Sequence, residues 1–148
     1  MNWREDLTRN LSLKISEKFI DPKNPINVLY HEDEGRIYIT HQNVDYSFEF
    51  IDDAGNIRFV MAIKPLDEAS RSELEKRVRD VLPSNTEMDK TSRYFTNYSI
   101  ESNAEHLNFS CRIKRYPKTE SDATDFRRSI WGEIIQRIMR GVYSRAKP

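Results

Sequence analysis

Three histidines, one cysteine, two acidic clusters and a run of arginines and lysines are the residues of this chain with the types that do chemistry. His31, His41 and His106 carry the side chain best suited to proton transfer near neutral pH and to zinc. No two of them stand at the i, i+3 or i, i+4 spacing that places two ligands on one helix face, and each falls at a strand end or turn. Cys111 alternates with Leu107, Phe109 and Ile113 on the apolar side of a strand. That is the position of a small core residue, and a lone cysteine closes no intramolecular disulfide. Glu32, Asp33 and Glu34, and Asp52 with Asp53, have the composition of a general acid–base pair or a divalent-cation site. They sit between alternating strands, however, where tight turns select Asp, Asn and Gly for backbone reasons, and adjacent strand residues point to opposite faces. The four glycines, Gly35, Gly55, Gly132 and Gly141, form no phosphate loop, dinucleotide fingerprint or Gly-x-Ser-x-Gly elbow. No catalytic residue, metal site or cofactor is expected.

The remaining chemistry is cationic. Residues 112–148 hold ten Lys or Arg against four Asp or Glu, so the net charge of zero conceals a basic end and an acidic remainder. Arg112, Lys114, Arg115, Lys118, Arg127 and Arg128, with Tyr116 and Tyr143 nearby, have the cation-plus-aromatic character of a single-stranded nucleic-acid groove. The arginines at 127 and 128 also supply the polar side that an amphipathic helix needs, and a neutral chain lacks the bias of a dedicated nucleic-acid binder.

These groups must be positioned by elements that the apolar periodicity locates. Val44, Tyr46, Phe48 and Phe50 alternate with Asp45, Ser47 and Glu49, the pattern of an antiparallel sheet with one face covered and one wet. Strands are expected over Ile26–Tyr30, Arg36–Thr40, Val44–Ile51, Ile57–Lys64, Arg93–Ile100 and Leu107–Tyr116, closed into hairpins by the turn residues between them. In the fifth of these the inward face is open: Tyr94, Tyr98 and Ile100 compete with Phe95, and a one-residue slip exchanges them. Trp3, Leu7, Leu11, Ile15 and Phe19 line one stripe of a first helix over Asn2–Phe19. Asp67 opens a second helix through Leu82, the polar stretch Ser84–Ser92 reads as a loop, and Ser121 or Asp122 caps a closing helix. That helix carries Phe126, Ile130, Ile134, Ile138, Met139 and Val142, with Trp131 and Ile135 widening the stripe.

The fold class is therefore α+β, an antiparallel sheet of about six strands packed with helices in the order α-β-β-β-β-α-β-β-α, and residues 1–148 read as a single domain. The 37% apolar and 32% charged content, with 11% aromatics, describes a folded chain with a well-solvated surface. No apolar run approaches the ~18 residues of a membrane span, and Met1–Arg9 lacks the apolar centre of a signal peptide, so a cytoplasmic protein is expected.

This element order, spanning Asn2 to Tyr143, resembles that of the class I type III secretion chaperones and the related YbjN-like bacterial domains. The resemblance lies in architecture and has no motif to transfer residue by residue. It implies a small homodimer that holds an extended segment of another protein, although those chaperones are usually distinctly acidic and have three strands before the middle helix. The function expected is thus a non-enzymatic protein-interaction module, with Tyr38, Tyr94, Phe95, Trp131 and Ile135 as the partner-binding residues. The alternatives are single-stranded nucleic-acid binding through the basic residues named above, and a small enzyme whose site has no recognisable motif. A homodimer is expected with Trp131 or Ile135 at the contact, against a monomer in which the first helix covers the same arc.

Overall fold

Alternation of apolar and polar side chains builds a sheet of six antiparallel strands in the order β1-β2-β3-β4-β6-β5. The computed structural model describes residues 9, 11, 27–31, 35–41, 44–53, 56–65, 71–103 and 106–146. The strands are β1 (Asn27–His31), β2 (Arg36–His41), β3 (Val44–Asp53), β4 (Asn56–Pro65), β5 (Phe95–Ser102) and β6 (Leu107–Ile113). Between β4 and β5 lie helices α1 (Arg71–Val81) and α2 (Asn85–Thr91), and after β6 come α3 (Glu120–Ser129), a π-helical segment (Ile130–Ile135) and α4 (Gln136–Ala146). Of the first helix expected over Asn2–Phe19, only Arg9 and Leu11 are among the described residues. Both are helical, and Leu11 is fully buried in the core. The expected N-cap at Asp67 and the acidic cluster at 32–34 lie outside the described residues.

One sheet face carries the core. Ile37 and Ile39, Tyr46 and Phe48, Phe59, Met61 and Ile63, and Leu107, Phe109 and Cys111 are all buried, joined by Leu74 and Val78 of α1 and by the apolar side of the closing helices. Phe126 is the aromatic hub, 5.9 Å from Phe50, 5.2 Å from Tyr94 and 5.5 Å from Phe95 between ring centroids. Helices α1 and α4 pack together at Gly141, where a Cβ would stand 3.2 Å from the Arg77 carbonyl oxygen and 3.2 Å from a Val81 methyl.

The parity question in β5 is answered by a bulge. The register runs Thr96↔Arg112 and then Ser99↔Ser110, so β5 holds one residue more than β6 there, and Asn97 takes a positive φ of 55°. An extra residue reverses the side-chain alternation. Phe95 and Ile100 consequently both face the core despite their odd and even numbers. Tyr98 lies against Phe109 at 5.7 Å, and Tyr94, just before the strand, is buried.

Three expectations are corrected. The stretch expected as a loop contains α2, whose N-cap Ser84 accepts a hydrogen bond from the Glu87 backbone N–H at 3.1 Å; Ser-x-x-Glu is a capping pattern. Asp52 and Asp53 prolong β3, paired with Ile57 and Asn56, rather than forming the turn. The cap of α3 is Thr119, which accepts from Asp122 N–H, not Ser121 or Asp122.

The closing helix also differs from a uniform α-helix. Phe126, Ile130, Ile134, Ile138 and Val142 recur every four residues, and at 3.6 residues per turn each step rotates the stripe by about 40°. The π segment holds more residues in a turn and winds the stripe back toward the sheet. All eight apolar residues, including Trp131 at 7% exposure and Ile135 at 0%, are thereby buried within one chain. The apolar width that suggested a shared helix face is taken up internally.

Candidate functional site

Among the described residues, none on the wet face of the sheet is buried. Its rows follow from the register: Leu29, Tyr38, Ser47, Ala62, Asn108 and Glu101 are successive cross-strand partners from β1 to β5, and directly paired residues share a face. Along this row the central positions are filled by Ser47 and Ala62, the smallest side chains in it. The result is a shallow trough of about 380 Å³ walled by Leu29, His31 and Tyr38 at one end and by Lys64 and His106 at the other. A neighbouring depression of about 230 Å³ shares Ser47, Ala62 and His106 and reaches the ion pair of Arg36 with Glu49. Leu29 is 51% exposed, the most exposed large apolar side chain described. His31 and Tyr38 meet edge to face at 4.9 Å, and Thr40 donates to Asp45 at 2.9 Å on the trough's margin.

The trough brings two histidines and a carboxylate to one surface, the arrangement an enzyme would need, but their spacing rules out joint action on one atom. His31 ends β1 and His106 immediately precedes β6, four strands away in the sheet. At about 4.8 Å per strand spacing they stand about 19 Å apart across the sheet, and the register offsets them further along the strands, with Asp45 on β3 between them. Acid–base partners act within hydrogen-bond reach, about 3 Å. His41 pairs with Val44 and shares the core side, where burial lowers its pKa. Among the described residues no three of His, Cys, Asp and Glu converge as a metal site. Cys111 is fully buried, and desolvation pushes its thiol up to about 12, the opposite of an activated nucleophile.

Of the five residues expected to bind a partner, the structure places only Tyr38 on an accessible surface. Tyr94, Phe95, Trp131 and Ile135 are core residues with at most 7% exposure. Tyr94 is held by its O–H donating to Asp125 at 2.6 Å, with Arg93 5.5 Å over its ring. Burial and that bond push its phenol up to about 12. Aromatic character drew attention to these side chains, but aromatics are also the most effective core fillers. Leu29, Ser47, Ala62 and Lys64 are trough residues that sequence reasoning missed. The wet alternation of β3 pointed to the face, but the alignment of Ser47 with Ala62 depends on the strand register.

The basic residues divide into separate groups. Lys114, Arg115 and Lys118 line a cleft of about 420 Å³ with Arg93, Tyr116 and Asp122, where β6 leads into α3. Arg112 lies on the wet sheet face opposite Arg58. Arg127 donates to Thr124 on its own helix at 3.2 Å, and Arg128 is exposed on α3; neither lines the cleft.

The outer edge of β5 is closed by side chains. Asn85 of α2 donates its Nδ2 to the Tyr98 carbonyl at 3.0 Å and accepts the Tyr98 N–H at 2.7 Å, in place of a neighbouring strand's peptide. Arg79 donates to the Ile100 carbonyl at 3.1 Å, and Thr96 donates to Asp89 at 2.7 Å.

The described residues thus define an α+β protein with a six-stranded antiparallel sheet covered on one face. No described helix is long and apolar enough to cross a membrane. Comparison with protein-family models, with curated proteins and with solved structures finds no match to the chain.

Proposed function

We propose that the chain is a non-enzymatic polypeptide-binding module, similar in mode to a secretion chaperone, that receives an extended segment of another protein across the wet face of its sheet. The observation that carries this reading is the shape of the trough. It crosses the strands over about 19 Å, the length of about six residues of extended chain. Its floor of Ser47 and Ala62 admits a backbone, Leu29 and Tyr38 offer apolar contact at one end, and Lys64 and the Arg36–Glu49 pair offer polar contact along its sides. Chemistry at a single atom would instead require convergent groups, and the histidines stand at opposite ends.

The test is selection from a displayed peptide library on the immobilised protein, followed by calorimetric titration of the selected peptides. Ala62→Leu fills the floor and Leu29→Asp alters the apolar end, both at unburied positions that folding tolerates. The expected result is a set of extended binders whose affinity falls at least about tenfold in each variant, a loss of about 1.4 kcal/mol. Selection that yields no saturable binder, or binders indifferent to both substitutions, removes the reading.

A further inference from the structure

We infer that a second, separate site exists where β6 passes into α3, and that its ligand is the sugar-phosphate backbone of a single-stranded nucleic acid. Arg58 and Arg112 are register partners on the wet face, and like charges placed directly opposite each other destabilise a sheet. Their row continues to Ile51 on one side and Thr96 on the other, so it supplies no carboxylate to offset them. Arg58 donates to the Ser110 hydroxyl at 2.9 Å, a neutral partner, and forms no ion pair among the described residues. An anion lying between the two guanidinium groups relieves the repulsion, and a guanidinium fork matches two phosphate oxygens.

Two positions beyond Arg112, Lys114 enters the 420 Å³ cleft. Lys114 donates to the Asp89 carbonyl at 2.8 Å and is ion-paired with the Asp89 carboxylate at 3.8 Å, and Arg93 is paired with Asp125 at 3.2 Å. Arg115 and Lys118 are exposed and form no ion pair among the described residues, and Asp122 is the one carboxylate among the cleft's lining residues. Among the described residues, cations without an ion-pair partner therefore run from Arg58 and Arg112 to Arg115 and Lys118. Arg58 to Arg112 is one strand spacing of about 5 Å, and Arg112 to Lys114 covers about 7 Å along the chain. A track of this length fits successive phosphates of an extended strand better than a single small anion. Tyr116, half-buried against the core with its oxygen accepting the Ile57 N–H at 3.3 Å, lines the cleft beside the cations and adds an aromatic edge to its wall.

The experiment is fluorescence polarisation of the full chain with a labelled oligothymidylate of about 20 nucleotides, a length sufficient for one site. Saturable binding is expected, with log K falling against log salt at a slope of about −3 for four neutralised phosphates. The double variant Arg115→Glu/Lys118→Glu should weaken binding at least tenfold, and Arg112→Ala severalfold, with unchanged thermal midpoints. Tripolyphosphate and polyglutamate serve as competitors. Equal competition by the first assigns the cleft to small phosphates, and equal competition by the second to an acidic polypeptide; either outcome overturns the proposal, as does binding indifferent to the double variant or no saturable binding. Ala62→Leu, which changes no charge, leaves oligonucleotide affinity unaltered, so this site and the polypeptide trough stand or fall separately.

Discussion

Cys111 supplies a sharp test of the non-enzymatic reading. At pH 8 an ordinary thiol with a pKa of about 8.5 is about one-quarter thiolate. With the Cys111 thiol raised to about 12, the thiolate fraction at that pH is about one in ten thousand, a reduction of about two-thousandfold. The side chain is also 0% exposed, so a reagent reaches it only when the core opens. The assay is mass-spectrometric measurement of iodoacetamide labelling at pH 8, in buffer and in denaturing urea. Native labelling should be at least a thousandfold slower than labelling of the unfolded chain. A native rate within tenfold of the unfolded one refutes both the burial and the raised pKa, and returns a reactive thiol to consideration. The same shift gives a pH dependence whose sign is fixed. The folded state retains a proton that the unfolded thiol releases, so stability is full below about pH 8.5 and declines as pH rises toward 12. Relative to Cys111→Ala, the wild-type protein should lose about a further 1.4 kcal/mol for each pH unit above 8.5. Tyr46 and Tyr94, also raised by burial, add alkaline sensitivity to both proteins alike.

Two further predictions concern packing and the sheet edge, and urea denaturation measures each. Asn85→Ala removes both bonds to Tyr98 and should cost about 1–3 kcal/mol, whereas Asn85→Asp retains the acceptor and should lose about half as much; equal stability of all three proteins would show that the closure is inconsequential. Gly141→Val places methyl groups against the Arg77 carbonyl and Val81 and should destabilise by about 1–3 kcal/mol through overpacking. A variant as stable as the parent would mean that α1 and α4 are not in close contact there.

The strands and their faces were legible because period-two alternation is a local property: Val44–Phe50 and Leu107–Ile113 each show their faces without reference to any partner, and the turn residues between strands marked the three hairpins, whereas the pairing of β4 with β6 was not read. What could not be read depended on relations between distant residues. The bulge at Asn97 is a mismatch between two strands, invisible in either alone. The π segment is a response of the closing helix to a stripe spaced at four residues, and without it Trp131 and Ile135 read as surplus. The trough similarly requires Ser47 to lie beside Ala62, which the β3–β4 register decides. Helix α2 was a different kind of miss, because the Ser84-to-Glu87 capping pattern is local and was available in the sequence. The four core residues assigned to partner binding share a cause: residue type reports apolar area, while burial reports whether that area is already used.

The sealed edge of β5 limits how copies of this chain can join. A sheet with two accepting edges is divalent, and divalent units add end to end into filaments. With Asn85 and Arg79 occupying the outer peptide groups of Tyr98 and Ile100, β5 accepts no further strand there. Strand addition is therefore blocked at the β5 end of the sheet, where the groups that a neighbouring strand would use already have partners on α1 and α2. A sheet with one end closed in this way cannot propagate through that end, so the exposed peptide groups of β5 do not serve as a template for fibrils.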